Sequence, residues 1–363
     1  MLVIFLLASF LATSCKKQRS DNVLREDVIV DTSISNLIRS NNSLENIFTV
    51  KSKIILETTE NSLINSISKV LFLEEEKRIV ILDKRGYNVL LFDIDGRFIS
   101  RLGRRGEGED EFNKLSSIAF KDRKIYITSF PKILVFNTEG KFLKYYNILK
   151  NAKPFYIHKM KIFDNYLIAY QNMPWEYKAD IILYSLKDEK IIETFGTGLN
   201  NYTFSVELFT QVGENNFLFT SAFNDILFEL NIKTHTINRF ADLMPSQLPV
   251  NLLRYEDRIQ QLKWIMNNRE EMKNVFPYIE LISLDGFVFL GKVQTGKGII
   301  YEVYDVNGNY LNTLNAFSFA NICNEKYIDV SYEINSTGLI LNGFSKDSPL
   351  GVNPVLLICS FKK

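Results

Sequence analysis

The stretch GRRGEGEDEF at residues 103–112 combines two arginines, three glycines and four carboxylates. Glycines let backbone N–H groups turn toward a ligand, and the forked guanidinium groups of Arg104 and Arg105 can bind a carboxylate or phosphate bidentately. Internal pairing is the alternative, because the loop offers the arginines four carboxylates, those of Glu107, Glu109, Asp110 and Glu111. The sequence therefore predicts ligand binding at both arginines and at Glu107 and Glu111, with internal pairing left open.

Three further side chains are candidates for ligand contacts. Trp175 and Tyr177 lie in the segment NMPWEYK, beside a proline, which is a composition typical of protein or sugar contacts. Packing against the rest of the fold is the competing interpretation for both aromatics. His158 lies in the strand-like run FYIHKMKIF and could face a central channel, although a buried structural histidine is the more common situation.

Metal and nucleophilic chemistry find little support in the sequence. A zinc site built on histidine needs two or three converging imidazoles, and the chain has only 2 histidines. The second, His235, lies in a predicted turn far from His158. No Gly-x-Ser-x-Gly, Walker or His-Glu-x-x-His motif is present. We predict no cofactor, while calcium held by channel carboxylates from distant parts of the sequence stays open.

The segment FDIDGRF at residues 92–98 is either a calcium-binding loop or a simple turn of the chain. An EF-hand needs ligands over about twelve residues between two helices, whereas the residues after Gly96 alternate like a strand. The pattern recurs as FNTEGKF at 136–142 and YDVNGNY at 304–310. A repeated aromatic, turn former and glycine indicates a hairpin turn with glycine at positive φ.

Strand-like runs recur around these turns, mostly at intervals of about 40 to 50 residues. The second strand of each unit begins at residues 78, 124, 166, 217, 287 and 339, and each is followed by a third strand. Units of 40 to 50 residues with four short strands are typical of a β-propeller. We predict an all-β, six-bladed β-propeller over residues 47–363, with four-stranded antiparallel blades.

Two irregularities refine this prediction. The last unit ends after its third strand, so the strand-like residues 47–58 are expected to complete the last blade. The longest interval contains apolar residues at helical spacing from Leu252 to Met266, which predicts a helical insertion over 243–278 between blades four and five. This helix, around Trp264, is expected on the face of the inter-blade loops, where it covers apolar surface or takes part in binding.

The N-terminus indicates export. Residues 1–14 form an apolar run, too short to span a bilayer, followed by small residues and Cys15, which is the layout of a signal peptide with a lipid-accepting cysteine. A plain cleaved signal is the alternative. Residues 15–46 are rich in Ser and Asn and are predicted to be a lipid anchor and tether. In an oxidising compartment, Cys323 and Cys359 either form a disulfide or remain buried thiols.

The chain resembles the six-bladed β-propeller lipoproteins of Bacteroidetes-type bacteria, which are related to NHL-repeat propellers. The resemblance rests on VLLFDIDGRFISRLGRRGEGEDEFNKLSSIAF at 89–120 and FTSAFNDILFELN at 219–231. In the first segment Gly106, Gly108, Glu111 and Phe112 match a loop frequent in that family, while Glu109 and Asp110 replace its Pro-Gly. The resemblance implies this fold and a cell-envelope location, without a general activity.

The resulting functional expectation is a non-catalytic, lipid-anchored binding module. It engages a protein, peptide or glycan on the face of the inter-blade loops, on the periplasmic side of the envelope, as a monomer. The charge balance, 43 Lys and Arg against 42 Asp and Glu, excludes a strong general attraction to nucleic acid. The alternative is a calcium- or zinc-dependent hydrolase or lyase at the channel mouth, since related propellers include such enzymes.

Overall fold

A computed structural model describes residues 30–151, 153, 155, 157–171, 179–196, 208–221, 224–243, 251, 258–272, 275, 277–294, 298–316, 327–335, 338–345 and 352–362. Within these residues the strands form six four-stranded sheets, with antiparallel pairing throughout each sheet. The prediction of an all-β propeller with four-stranded antiparallel blades is confirmed.

The sheets are numbered here in chain order, and the first five are meanders of consecutive strands. Sheet 1 contains β2 (Lys69–Leu73), β3 (Arg78–Asp83), β4 (Asn88–Asp93) and β5 (Phe98–Arg101). Two short strands, β6 (Arg104–Arg105) and β7 (Glu111–Phe112), follow. Sheet 2 contains β8 (Leu115–Lys121), β9 (Lys124–Ser129), β10 (Lys132–Asn137) and β11 (Phe142–Asn147). Sheet 3 contains β12 (Lys159–Phe163), β13 (Tyr166–Tyr170), β14 (Ile181–Ser185) and β15 (Lys190–Phe195).

The remaining sheets follow the same plan until the last one. Sheet 4 contains β16 (Phe209–Gln211), β17 (Asn216–Phe219), β18 (Ile226–Asn231) and β19 (Thr236–Asp242). Sheet 5 contains β20 (Tyr278–Leu284), β21 (Phe287–Gln294), β22 (Gly298–Asp305) and β23 (Tyr310–Asn315). Sheet 6 contains β24 (Tyr327–Asn335), β25 (Gly338–Ser345), β26 (Val355–Phe361) and the N-terminal strand β1 (Phe48–Ile55).

The predicted closure by the N-terminal strand is therefore observed. β1 pairs antiparallel with β26 from Phe48 opposite Phe361 to Ile55 opposite Val355. A buried apolar cluster that includes Ile54 and Ile358 of sheet 6 continues into Ile79 of sheet 1. Hydrogen bonding and apolar burial thus join the two ends of the chain and bring the last sheet against the first.

The first strands of the sheets lie side by side at the centre. β8 lies next to β2 and β12, and β20 lies next to β16 and β24. Between neighbouring sheets lie apolar clusters formed by their facing side chains, such as Phe209 and Phe217, whose stacked rings are 5.5 Å apart. Every pairing of a third strand with its outer strand contains a β-bulge, which disfavours edge-to-edge pairing with another chain.

The three glycine turns share one hydrogen-bond pattern. In each turn the Oδ1 atom of the first Asp or Asn accepts the N–H of the residue four positions later, in the pairs Asp93 and Arg97, Asn137 and Lys141, and Asp305 and Asn309. The glycine at the fourth position has φ between 81° and 88°. The hairpin interpretation of the Asp-Ile-Asp-Gly segment is confirmed, because its first carboxylate binds its own backbone.

These turns also lock each sheet to the one before it. A Cβ atom at Gly96, in the turn of sheet 1, would lie less than 3.0 Å from the carbonyl oxygen of Ile55 in β1. Gly308 of sheet 5 has the same relation to the carbonyl oxygen of Phe240 in β19. The N–H of Glu57 donates to Gly96 O at 2.8 Å, so the chain end of β1 is held by the first sheet.

Sheets 3 and 4, which have no glycine turn, use polar side-chain contacts at the equivalent place. In sheet 3 the turn residue Glu189 pairs with Lys150, just after β11 of sheet 2, at 3.2 Å. In sheet 4 His235 Nδ1 lies 2.6 Å from Glu193 Oε2 on β15 of sheet 3. The contact between a turn and the preceding outer strand is therefore a repeated feature of the ring, made with different chemistry.

An N-terminal arm takes the place of this turn in sheet 6, whose third and outer strands come from opposite ends of the chain. The arm contains α1 (Thr32–Arg39) and α2 (Leu44–Ile47). On β23 of sheet 5, the N–H of Asn315 donates to Asn42 O at 2.8 Å, and Asn312 Nδ2 donates to Asn41 O at 2.6 Å. The predicted tether over 15–46 is therefore wrong from residue 32 onward, because these residues dock on sheet 5 and bury Ile38 and Leu44.

The helical insertion is present between sheets 4 and 5. Its described part consists of α3 (Arg258–Asn267) and α4 (Arg269–Met272), inside the predicted range 243–278. Residues 252–257, where the predicted helix begins, lie outside the described residues. Trp264 is half-buried and Met266 is 64% exposed.

We predict that Gly96→Ala destabilises the protein more than Gly298→Ala. Both glycines have positive φ, 88° and 82°, so each alanine incurs the backbone cost of about 1 to 2 kcal/mol. A Cβ atom at Gly298 meets nothing within 4 Å, whereas one at Gly96 clashes with β1, which adds about 1 to 3 kcal/mol. Urea unfolding followed by circular dichroism measures both. An equal loss of unfolding free energy in the two variants would contradict the close contact between the Gly96 turn and β1.

Candidate ligand-binding site

The loop that joins sheet 1 to sheet 2 is folded onto itself. Its two ends, β6 and β7, pair in parallel with Arg104 opposite Glu111 and Arg105 opposite Phe112. The N–H of Gly106 donates to Phe112 O at 3.1 Å, and the Phe112 ring is buried among the residues between sheets 1 and 2. The loop therefore presents its side chains from a fixed backbone.

Glu111 is the centre of the loop's polar contacts. Its carboxylate accepts Arg104 Nε at 2.6 Å and the N–H of Gly108 at 2.8 Å. The Gly108 N–H, followed by the Arg104 guanidinium, lowers the pKa of Glu111, and Glu111 raises the pKa of Arg104. A Cβ atom at Gly106 would collide with this carboxylate. Internal pairing, left open by the sequence, is what the structure shows for Arg104.

Glu107 and the adjacent backbone are braced by sheet 2. Asn113 Nδ2 donates to the Glu107 carboxylate. Lys132 Nζ, at the start of β10, donates to the carbonyl oxygens of Glu107 at 3.0 Å and Gly108 at 2.6 Å. The same ammonium lies 5.6 Å from the centre of the Tyr145 ring. The second-to-third strand connection of sheet 2 and the inter-sheet loop therefore lie on one face.

Arg105 is held in a different way from Arg104. Its guanidinium carbon lies 4.6 Å from the centre of the Tyr87 ring, in the second-to-third strand turn of sheet 1. Arg105 is exposed and Tyr87 is 39% exposed. Stacking holds the guanidinium plane in place while its N–H groups can still reach a ligand. Arg105 is thus the member of the predicted set best arranged to bind an anion.

The glycine turns open on the opposite face. Arg78 Nε, next to the first-to-second strand turn of sheet 1, donates to Thr138 O in the glycine turn of sheet 2 at 3.0 Å. The two kinds of turn thus share the rim away from Lys132 and Arg105. Because neighbouring strands are antiparallel, the first-to-second and third-to-fourth strand turns lie on one face of the sheet ring, and the second-to-third strand turns lie on the other.

The other predicted residues are only partly placed by the structure. His158 is half-buried immediately before β12, and its backbone N–H donates to the backbone oxygen of Tyr170 at 2.9 Å. Trp175, Tyr177, Cys15 and Cys323 lie outside the described residues. Cys359 is buried on β26. The binding roles predicted for His158, Trp175 and Tyr177 stay predictions.

The described part of the chain contains neither a metal-binding cluster nor a membrane-spanning helix. In that part, no group of three or more His, Cys, Asp or Glu side chains is arranged to hold a metal ion. No helix among the same residues is both long enough and apolar enough to cross a membrane.

A pocket beside the loop was missed by sequence reasoning. Lys114, Lys132, Ser116 and Thr128 line it together with aromatic and aliphatic side chains from both ends of sheet 2. These residues are scattered between positions 114 and 157, and none forms a recognisable motif. The one available signal was topological, because the predicted strand order places Phe130 and Lys132 on the face of the inter-sheet loops.

The fold and this surface define a β-propeller with a braced, cation-bearing loop on one rim. The chain belongs to the family described as Domain of unknown function (DUF4934), whose model matches residues 29–330. Curated proteins gave no match to the sequence.

Two solved structures share this architecture. A protein from Bacteroides fragilis NCTC 9343, provisionally named as exported, has a TM-score of 0.67 at 16% identity and matches 89% of this chain and 98% of its own. A member of the duf4221 family from Bacteroides vulgatus atcc 8482 has a TM-score of 0.58 at 11% identity, with 88% and 99% covered. At these identities the similarity shows the fold alone.

We predict that the loop opens in acid because Glu111 must be ionised to hold it. Its folded-state pKa lies below the ordinary 4.5, so its contribution is complete above pH 4.5 and is lost as the pH falls through the lowered pKa. The Gly108 amide resonance, followed by NMR between pH 7 and pH 3, should move with a midpoint below 4.5. In Glu111→Gln this acid transition should be absent. A midpoint above 4.5 would contradict the assigned hydrogen bonds.

Proposed function

We propose that this protein is a six-bladed, lipid-anchored propeller that serves the cell envelope as a non-catalytic binding module. The partner is a protein, peptide or glycan that docks on the face of the inter-sheet loops. The six four-stranded sheets support the blade number. The observation that carries the binding role is the exposed Arg105 guanidinium, stacked on Tyr87 at the end of a braced loop.

The braced loop favours binding because little order has to be created when a partner arrives. Arg104, Glu111 and the backbone of the loop already satisfy one another, and Lys132 fixes two of its carbonyl groups. A preorganised surface loses less conformational entropy on association than a mobile one. Arginine and tyrosine are also enriched among the residues that dominate interface affinity.

The envelope location rests on the N-terminal sequence and on a structural neighbour. The B. fragilis protein with the same fold is provisionally named as exported. In the chain itself, an apolar run and small residues precede Cys15. We infer that lipid on this cysteine anchors the protein. The periplasmic side is favoured because the residues after the cysteine, Lys16 to Arg19, lack the acidic run that is often linked with export to the cell surface in such bacteria.

Replacing the predicted lipid acceptor tests the anchor directly. Cys15→Ser should abolish labelling by radioactive palmitate and move the protein from the membrane to the soluble fraction, because no acyl chains remain to hold it there. Cys359→Ser is the matched control and should keep its label. Unchanged labelling of Cys15→Ser would remove the lipid-anchor proposal.

The binding face is tested by two charge-matched variants. A photo-reactive amino acid at Tyr145 captures neighbours in intact cells, and affinity for the captured partner is then measured by calorimetry. Arg105→Ala should weaken binding by about 2 kcal/mol, because the stacked guanidinium supplies both charge and a planar contact. Arg97→Ala, exposed in a glycine turn on the opposite rim, should have no effect. The reverse ranking would place the binding face on the other side.

A further inference from the structure

The second-to-third strand turn of sheet 1 adds positive charge beside Arg105. Residues 84–87 join β3 to β4, and this turn contains Lys84 and Arg85 as well as Tyr87, on which Arg105 is stacked. Arg85 and Arg105 are exposed, and Lys84 is half-buried. These three cations and Tyr87 form one small surface on the loop face, called here the cationic platform.

A buried carboxylate fixes the backbone of this turn. Asp83, at the end of β3, is fully buried and accepts the backbone N–H of Gly86 at 2.8 Å. It also accepts the backbone N–H groups of Asn65 at 2.7 Å and Ser66 at 3.2 Å. A Cβ atom at Gly86 would collide with the same carboxylate. The platform therefore presents its side chains from a fixed backbone, and the oxygens of Asp83 are used by backbone donors.

The platform cations have no acidic partner among the residues that the structure describes. The ion pairs there involve other cations, and no carboxylate lies within ion-pair distance of Lys84, Arg85 or Arg105. Successive side chains of a strand point to opposite sides. On β6, Arg104 meets Glu111 and Arg105 meets Tyr87, so the two arginines lie on different sides of the loop.

The unpaired acids of the loop lie on the Arg104 side. Glu111 first, and Asp110 more weakly, raise the pKa of Arg104. Glu109 and Asp110 are exposed, and neither forms an ion pair within the described part of the chain. These two residues are called here the acidic tip. One face of the protein thus carries an unpaired cationic surface and an unpaired acidic one.

The braced backbone keeps the two charged surfaces apart. In a mobile loop, opposite charges so close in sequence would approach and pair. Here the parallel pairing of β6 with β7 and the two hydrogen bonds from Lys132 hold the backbone between them. Both surfaces are therefore available to a second molecule without the breaking of an internal ion pair.

This charge pattern selects the class of partner. A uniformly anionic polymer or an anionic membrane that covers the platform also meets the acidic tip, which repels it. The Arg105 guanidinium occupies one face of the Tyr87 ring, which leaves less aromatic surface on which a sugar can stack. A polypeptide can carry acidic and basic residues a few positions apart, and it can therefore match both signs at once.

We propose that the loop face binds a charge-segregated segment of a partner protein. A run of acidic residues in that segment contacts the cationic platform, and basic residues a few positions away contact the acidic tip. The forked guanidinium groups of Arg85 and Arg105 bind carboxylates bidentately, and Lys84 adds a third cation. This inference rests on the proposed binding function and narrows the partner to a polypeptide with this charge pattern.

Two peptides of equal composition test the inference on the purified full chain. One carries Glu-Glu-Glu-Gly-Ser-Gly-Lys-Lys-Lys, and the other carries the same residues with Glu and Lys alternating. Both are labelled with fluorescein and titrated by fluorescence anisotropy at low ionic strength, because salt screens exposed ion pairs. The segregated peptide should bind about tenfold more tightly than the alternating one, since their net charges are equal and only the first matches both surfaces.

Removal of platform charge should weaken the segregated peptide selectively. Arg85→Gln should lower its affinity about threefold to fivefold, which is the range for one exposed ion pair, and Lys84→Gln combined with Arg85→Gln should lower it about tenfold. Arg123→Gln is the matched control, because Arg123 is exposed in the first-to-second strand turn of sheet 2, on the opposite rim. Thermal unfolding checks that each variant is folded.

The acidic tip supplies a test with two opposite expected signs. Glu109→Gln combined with Asp110→Asn should weaken the segregated peptide about threefold or more, because its lysines lose their partners. The same variant should bind an all-Glu peptide of equal length more tightly than the unaltered protein does, because the repulsion is removed. A change of both affinities in the same direction would contradict the two-signed surface.

The remaining outcomes identify other occupants. Equal affinity for the segregated and alternating peptides, or no binding of either, would overturn the inference. Tighter binding of polygalacturonate, or of phosphatidylglycerol vesicles, than of the segregated peptide would assign the platform to a glycan or a membrane and overturn it as well. A dimer in sedimentation that Arg85→Gln dissociates would make a second copy of this chain the occupant and would likewise overturn it.

Failure of the proposed function is distinguishable from failure of this inference. The binding module fails if the photo-captured partner is insensitive to Arg105→Ala. A captured partner that depends on Arg105, but not on Lys84, Arg85 or the acidic tip, would keep the binding module and reject the charge-segregated segment.

Discussion

Closure of the ring is the constraint on which the rest of the structure depends. Sheets 1 to 5 present their third-to-fourth strand turns to the outer strand of the preceding sheet, through close glycine contacts in sheets 1, 2 and 5 and through polar side-chain contacts in sheets 3 and 4. Sheet 6 lacks a covalent turn at this place because its strands come from both chain ends. The N-terminal arm supplies the missing contact on β23, and β1, which follows the arm directly, completes sheet 6.

This arrangement explains why the loop face can carry function. The turns on one rim are used to hold the sheets together, and their carboxylates and amides bind their own backbone. The loops between sheets lie on the other rim, where they do not form these turn-to-strand contacts, and they differ in length and composition. A rigid scaffold with variable loops on one side is the usual basis for placing binding residues.

Much of the fold could be predicted because the strands carry strong local signals. The predicted second strands of sheets 1 and 2 coincide with β3 and β9, where β-branched and aromatic residues are bounded by turn residues. The arm was missed because its Ser- and Asn-rich sequence reads as a tether, and only contact with β23 shows that Ile38 and Leu44 are buried. Tertiary contacts, rather than local propensity, order that segment.

The candidate site was less predictable than the fold. The sequence identifies the loop 103–112 as a cluster of charge and glycine, but it could not choose between a ligand and Glu111 as the partner of Arg104. That choice depends on the parallel pairing of β6 with β7, which brings the two side chains together. The pocket depends on residues from four separate segments of sheet 2 and its flanking chain, whose convergence only the folded structure reveals.

The two arginines of the loop have different contacts, since Arg104 pairs with Glu111 and Arg105 stacks on Tyr87. Arg104 neutralises Glu111 and keeps the loop ordered in the absence of any partner, whereas Arg105 rests on an aromatic ring and needs no carboxylate to hold its position. Had both arginines been paired internally, binding an anion would first require breaking an ion pair and would gain correspondingly less. Had neither been paired, the loop would have to become ordered on binding. One arginine committed to structure and one held by stacking is therefore the combination that leaves a preorganised cation for a partner.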